Sequence, residues 1–480
     1  MIGFRFDNTY TSLPAPFYAH CNPEEVSAPE VVILNEALAG SMGLEFDDVG
    51  EVQLAALLAG NELPEGATPF SQAYAGHQFG HFTMLGDGRA HMMGEHLMPD
   101  GQRVDIQYKG SGRTPYSRRG DGRAALGPML REYIISESLA AMGIPTSRSL
   151  AVVSTGEMVM REEALEGAIL TRVASSHIRV GTFEYASDPE NTVPLQSLLD
   201  YTIDRHYPEL LSAENRALAL LERVVERQCS LIVHWMRVGF IHGVMNTDNF
   251  TLSGESIDFG PCAFLDTYNP AQVFSSIDQQ GRYAFANQPN IAHWNLARLA
   301  EALLPLIDSD REEAIRLAEQ TIHQFPSLYQ QEWGNMMRAK LGLGSIRDGD
   351  EQLIIDLLSW MHEKHADYTN TFQDLMELPD LATYQDEGFR NWYDRYQRRQ
   401  DSDELSESES RELMRRSNPA VIPRNHQVER ALQAAQTGDL APLHLLLEAL
   451  KNPYDLPEEM RAFQATPPMT ERVYQTYCGT

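Results

Sequence analysis

Residues 240–261 read FIHGVMNTDNFTLSGESIDFGP, and the reading of this stretch decides the fold. His242 is followed seven positions later by Asn249, and the triplet Asp258-Phe259-Gly260 closes the segment. An Asn and an Asp on two adjoining strand ends can converge on Mg²⁺, and a metal held there offsets the charge of a triphosphate. The spacing predicts a short loop between two strand ends, fed by a long amphipathic helix over Asn215–Val238.

The same stretch matches the protein-kinase pattern HRDLxxxN followed by DFG at its His, its Asn and its DFG. It departs from the pattern at one position. The proton-accepting Asp should fall at Val244, and a valine can neither accept a proton nor orient a hydroxyl. Asp248, immediately before Asn249, is the nearest carboxylate able to replace it, and its competing role is to cap or brace the loop.

Working outward, Lys109 ends the strand candidate VDIQYK, where a nucleotide-binding lobe of this kind places its phosphate-contacting lysine. The loop Gly86-Asp87-Gly88-Arg89 lacks the Cβ atoms that keep backbone N–H groups away from phosphates, although GDG is also a common hairpin turn. A kinase-like lysine wants a glutamate on the following helix, and Glu132 and Glu137 are the candidates. A helical wheel puts Glu137 on the face of Leu130, Tyr133 and Ile134, with Glu132 nearly opposite, and so chooses Glu137. Arg113, Arg118, Arg119, Arg123, Arg172 and Arg179 form a basic cluster suited to bidentate contacts with phosphate oxygens or, alternatively, to surface ion pairs. His77 and His81 have the i, i+4 spacing of a helical metal pair, but glycines interrupt the run and no third ligand is in view.

The rest of the chain frames these motifs. With 480 residues, 54.0 kDa and 42% hydrophobic content, it has material for two or three domains. Residues 1–69 read as an N-terminal extension with helices around Val31–Met42 and Val52–Ala59; 70–192 as a small strand-rich nucleotide-binding lobe; 193–400 as a larger helical lobe. Residues 401–480 read as a charged linker followed by a helical extension at Asn425–Lys451. The fold class is therefore α+β, two-lobed and protein-kinase-like. A formal charge of −30 opposes binding to nucleic acid or to anionic membrane surfaces. The four cysteines show no CxxC and no pairing rhythm, and no apolar run is long enough to span a membrane. A reducing, cytoplasmic setting is the expectation.

At these residues a family resemblance becomes plain. QAYAGHQFGHF, LGDGRA, DIQYKGSGRTPYSRRGDGRAALGPMLREY, TRVASSHIRVGTFEY, HGVMNTDN, IDFGP and NPAVIPRNHQVERAL together resemble the selenoprotein O family of kinase-fold protein adenylyltransferases over nearly the whole chain. The resemblance implies transfer of AMP from ATP to Ser, Thr or Tyr hydroxyls of proteins, with the nucleotide reversed relative to ordinary kinases. UMP from UTP, and either Mg²⁺ or Mn²⁺, are compatible with it. Carried over, it implies that Gly86, Gly88, Arg89, Lys109, Asp121, Gly122, Arg172 and Arg179 hold ATP, that Asp248 accepts the proton and that Asn249 and Asp258 bind the metal. It makes Glu132 the partner of Lys109, against the wheel. The family has selenocysteine or cysteine near the C-terminus, here Cys478, which some relatives pair with a cysteine after DFG; the segment AFLDTYNPAQVFSSID has none, and Cys262 lies nearby. Two other activities remain compatible with the residues: γ-phosphoryl transfer with Asp248 as base, and a non-catalytic ATP-binding scaffold suggested by Val244.

Overall fold

The strand Arg103–Lys109 shows how the sequence builds the sheet. Side chains alternate across a strand, so Val104, Ile106 and Tyr108 join a core with Leu38, Met42, Leu54 and Leu58 of the helices Glu36–Met42 and Glu51–Ala59. Asp105, Gln107 and Lys109 take the opposite face, where each meets a charged or polar partner. One face is thus cemented by apolar burial and the other carries chemistry. The computed structural model describes residues 2–188, 190–376 and 384–477. Cys478 lies outside the described residues.

The main sheet is antiparallel and runs in the order Tyr18–His20, Phe70–Gln72, Ala90–Leu97, Arg103–Lys109, Ala164–Ala174, Arg148–Met160, Glu30–Leu34, with the short Ala124–Ala125 strand also pairing Ala164–Ala174. A hairpin turn at Pro99-Asp100-Gly101-Gln102 joins Ala90–Leu97 to Arg103–Lys109. Two expectations are corrected. The stretch expected as an extension supplies two strands of this sheet, and the helix expected from Val31 begins only at Glu36, because Glu30–Leu34 is a strand. The β-branched run Val31-Val32-Ile33 suits a pleated edge, and Asn35 then caps the helix by accepting from the Leu38 N–H.

The helix Leu126–Ala141 crosses the sheet and is buried on nearly every side. Leu130, Tyr133 and Ile134 pack with Val152 and Leu170 of the sheet and with Val428, Leu432 and Leu446 of the helices Asn425–Gln436 and Ala441–Leu450. Arg131 pairs with Glu429 across that contact. The long helix is Arg216–Val238, capped by the Asn215 side chain and ended by Gly239 at φ 75°. It delivers the chain into the Phe240–Ile241 strand, which pairs with Ala263–Phe264 and so closes residues 242–262 into a pinned loop. Helices follow from Gln288 onward; the charged stretch after Gln400 includes the helix Glu407–Ser417, started by a Ser406/Glu409 capping box.

His91 is wholly buried in the sheet with Nδ1 on Ser111 Oγ at 2.7 Å, and burial pushes its pKa from 6.5 down to about 4. The folded chain keeps it neutral while the unfolded chain protonates it below about 6.5. Its contribution is therefore complete above that pH and is lost as pH falls, at about 1.4 kcal/mol per unit until pH 4. Thermal unfolding midpoints recorded from pH 7 to pH 4.5 should decline, and His91→Gln should flatten the decline; an unchanged slope in that variant would refute the assignment.

Candidate active site

Three buried charges, Lys109, Glu132 and Arg172, and the partly exposed Asp258 form the centre of the site. Lys109 Nζ lies 2.7 Å from Glu132 Oε2 and 2.8 Å from Asp258 Oδ1. Arg172 donates from Nε to Glu132 Oε1 at 2.7 Å, from Nη2 to the same oxygen, and from Nη2 to Asp258 Oδ1 at 2.5 Å. Glu132 and Arg172 are each only 2% exposed at the side chain, so neither charge survives without the other. Burial alone would raise the Glu132 pKa; the Arg172 and Lys109 charges outweigh it and hold the carboxyl below its ordinary value. Asp258 follows the same logic: burial opposes ionisation, and Arg172, Lys109 and Arg179 together hold it well below the usual carboxylate range.

Glu137, the choice of the wheel, points elsewhere. It accepts from Arg148 at 2.9 and 2.7 Å and from the Ser149 N–H at 2.9 Å. The wheel fails because the helix has no single apolar face: the C-terminal helices cover the side that a wheel assigns to solvent.

The remaining residues border a cleft of about 820 Å³ between the sheet and residues 244–261. Arg179 is fully buried, with its guanidinium 4.3 Å over the Tyr74 ring and Nη2 3.7 Å from Asp87 and 3.8 Å from Asp258. Gly86, Gly88, Arg89, Asp121 and Gly122 all line the cleft. The two loop glycines do more than bare the backbone. At Gly86, φ 139°, a Cβ would strike the Tyr116 ring, and at Gly88 it would lie 3.0 Å from the Tyr116 carbonyl, so both let the 112–122 loop close on the 86–89 loop. Asp121 is held by Arg161 Nη1 at 2.8 Å. Of the six arginines, Arg118, Arg119, Arg123, Arg172 and Arg179 border the cleft; Arg113 is exposed outside its lining, and Arg123 also sits 3.6–3.7 Å from Glu24 and Glu157.

On the facing side, His242 Nε2 bonds the Ile257 carbonyl at 2.8 Å and its ring sits 6.3 Å from that of Phe259, which ties the start of the loop to its end. Asp258 has φ 64°, a strained value for a residue with a Cβ. Asn249 gives its Nδ2 to the Val244 carbonyl at 3.0 Å, which leaves the amide oxygen for another partner. Asp248 is 8% exposed, and its Oδ1 has no hydrogen-bond partner among the described residues. Burial pushes its pKa from 3.8 up to about 6, against the pull of its hydrogen bonds and of Arg179.

His77 and His81 form no helical pair. They stand on opposing strands of the hairpin Ala75–Gln78/His81–Met84, and His77 binds Glu184 at 2.5 Å. Among the described residues, no three His, Cys, Asp or Glu side chains gather as a metal site. Sequence reasoning missed Tyr74, Gln107, Arg161, Glu184 and Thr247, whose partners lie far along the chain.

Glu132→Gln should weaken ATP binding sharply and cost about 3–5 kcal/mol of stability by unbalancing two buried cations, whereas Glu137→Gln should leave nucleotide affinity within twofold. Titration calorimetry and chemical denaturation on both variants check this; equal losses would contradict it. Metal content should not change in His77→Ala, by elemental analysis of the purified chain.

Residues 1–451 match the family described as "Protein adenylyltransferase SelO". The chain is 58% identical to a protein nucleotidyltransferase YdiU of Nitrosococcus oceani over 482 residues, covering 100% of this chain and 98% of that one. It is 55% identical to the YdiU protein of Geobacillus kaustophilus (100% and 99% covered) and 56% identical to that of Bacillus cytotoxicus (100% and 98% covered). With matches of this extent over a cleft that gathers Lys109, Glu132, Arg172 and Asp258, the chain belongs to the SelO family of protein adenylyltransferases.

Proposed function

We propose that the cleft transfers AMP from ATP to Ser, Thr or Tyr hydroxyls of proteins, within a two-lobed kinase-like fold, with Asp248 as the proton acceptor. The observation that carries this reading is a buried carboxylate, Asp248, with an oxygen unsatisfied among the described residues and a pKa raised to about 6, in a loop that has Val244 at the usual base position. A group with that pKa is ionised at neutral pH yet basic enough to take a proton as it is lost.

In the step, the acceptor hydroxyl oxygen attacks the α-phosphorus, the bond from that phosphorus to the bridging oxygen breaks, and pyrophosphate leaves. The hydroxyl proton passes to Asp248. Lys109, Arg172 and Arg179 supply fixed positive charge to the nucleotide without reorganisation, because their geometry is set in advance by Glu132, Asp87 and Asp258. Arg89, Asp121 and the loop glycines Gly86, Gly88 and Gly122 border the nucleotide. The wealth of arginines supports a triphosphate held in reverse of the ordinary kinase direction.

The residues fit a divalent cation. Asn249 has its amide oxygen available and, among the described residues, the Asp258 Oδ2 meets only the distant Arg179, which gives the hard oxygen donors that Mg²⁺ or Mn²⁺ takes. When bound, such an ion would offset triphosphate charge.

Three outcomes test the reading. Label from α-labelled ATP should become attached to acceptor proteins and label from γ-labelled ATP should not; the reverse pattern would establish phosphoryl transfer instead. Asp258→Ala should abolish transfer and weaken metal-dependent nucleotide binding, and full activity of that variant under chelation would disprove the ligand assignment. Asp248→Ala should lower turnover by about 10²–10⁴-fold with ATP still bound. Asp248→Asn should fall as far, since an amide keeps hydrogen bonds but is no base; near-normal turnover there would make the residue a brace.

A further inference from the structure

The AGHQFGH segment has a role that the nucleotide site leaves unexplained. His77, Glu184 and Thr247 close a ring of hydrogen bonds. The His77 N–H donates to Thr247 Oγ1 at 2.7 Å, the Thr247 hydroxyl donates to Glu184 Oε2 at 2.6 Å, and the other Glu184 oxygen meets His77 Nδ1 at 2.5 Å. The ring joins the hairpin, the helix Val180–Ala186 and the loop turn Thr247–Asn249. Thr247 is wholly buried and the Glu184 side chain is 5% exposed. One hydroxyl thus has both its donor and its acceptor direction prescribed.

The contacts around the ring are equally close. A Cβ at Gly76 would collide with the Asp248 carboxylate, and one at Gly181 would collide with the Ala75 carbonyl and sit 3.4 Å from Asp248 Cα. The Phe79 N–H and the Tyr283 hydroxyl both bond Asn246 Oδ1, at 3.1 and 2.6 Å. Backbone of the hairpin therefore meets the side chains of Asn246, Thr247 and Asp248 directly.

We infer that His77, Glu184 and Thr247 are positioning residues for the transfer reaction: their ring clamps the hairpin onto the loop and aims the Asp248 carboxylate at the acceptor hydroxyl. This rests on Asp248 as proton acceptor. Neither Glu184 nor Thr247 borders the cleft, so the ring acts through Asp248 and not through the nucleotide. A misplacement well under a hydrogen-bond length at the base is enough to slow proton removal.

Thr247→Val keeps the shape and deletes the hydroxyl. The initial rate of α-label incorporation into a heat-inactivated whole-cell protein extract should fall by about tenfold or more. The KM for ATP, and the affinity for a non-hydrolysable ATP analogue by calorimetry, should stay within about twofold, which a general loss of structure would not allow. Thr247→Ser should restore most of the turnover, and Glu184→Gln should reproduce the loss if Thr247→Val folds poorly. The deciding measurement combines Thr247→Val with Asp248→Ala. If the ring works through Asp248, the double variant is no slower than Asp248→Ala alone. Losses that multiply, or a Thr247→Val enzyme with normal turnover, would overturn the inference. An Asp248→Ala enzyme with near-normal turnover would instead overturn the proton-acceptor reading, independently of the ring.

Discussion

The pairing of two buried cations with two carboxylates, Lys109 and Arg172 with Glu132 and Asp258, is the constraint on which the rest of the structure depends. Each of the four comes from a different element: two neighbouring strands, the crossing helix and the 242–262 loop. Desolvating any one of them alone would be costly, and the costs are met only when all four meet with good hydrogen-bond geometry. The sheet, the helix and the 242–262 loop therefore cannot take their positions independently.

This dependence explains features that look separate. The helix Leu126–Ala141 must hold one rotation so that Glu132 faces the strands, and the C-terminal helices fix that rotation by packing on its outer side. The Arg103–Lys109 strand must present its charged residues to the cleft, and the apolar alternate residues anchor it from behind against the N-terminal helices. Asp258 takes up a strained backbone angle within the same network, a strain that surrounding ion pairs can hold.

The network also separates two kinds of carboxylate in one cleft. Asp258 is surrounded by positive charge and is kept ionised, while Asp248 lies under the hairpin with little compensation and becomes more basic. Environment, and not residue type, sets the two apart.

Much of the site was legible in the chain itself. His242, Asn249 and Asp258 lie within seventeen residues, Lys109 ends an alternating strand, and the long joint matches from QAYAGHQFGHF to IDFGP identify the family. Those signals are local: they depend on residue type and on spacing within one element, which the covalent chain carries intact. What only the tertiary structure decided is which distant group each of them meets. Glu132 over Glu137 depended on how a helix buried on nearly all sides is rotated, information absent from a wheel. The strands at 18–20 and 30–34 became part of the sheet through pairing partners 54 and 124 residues away at Gln72 and Ser154, and His77 found Glu184 107 residues on. Burial is likewise a property of the packed molecule, so the unsatisfied oxygen of Asp248 and its raised pKa arise only once the hairpin closes over the loop.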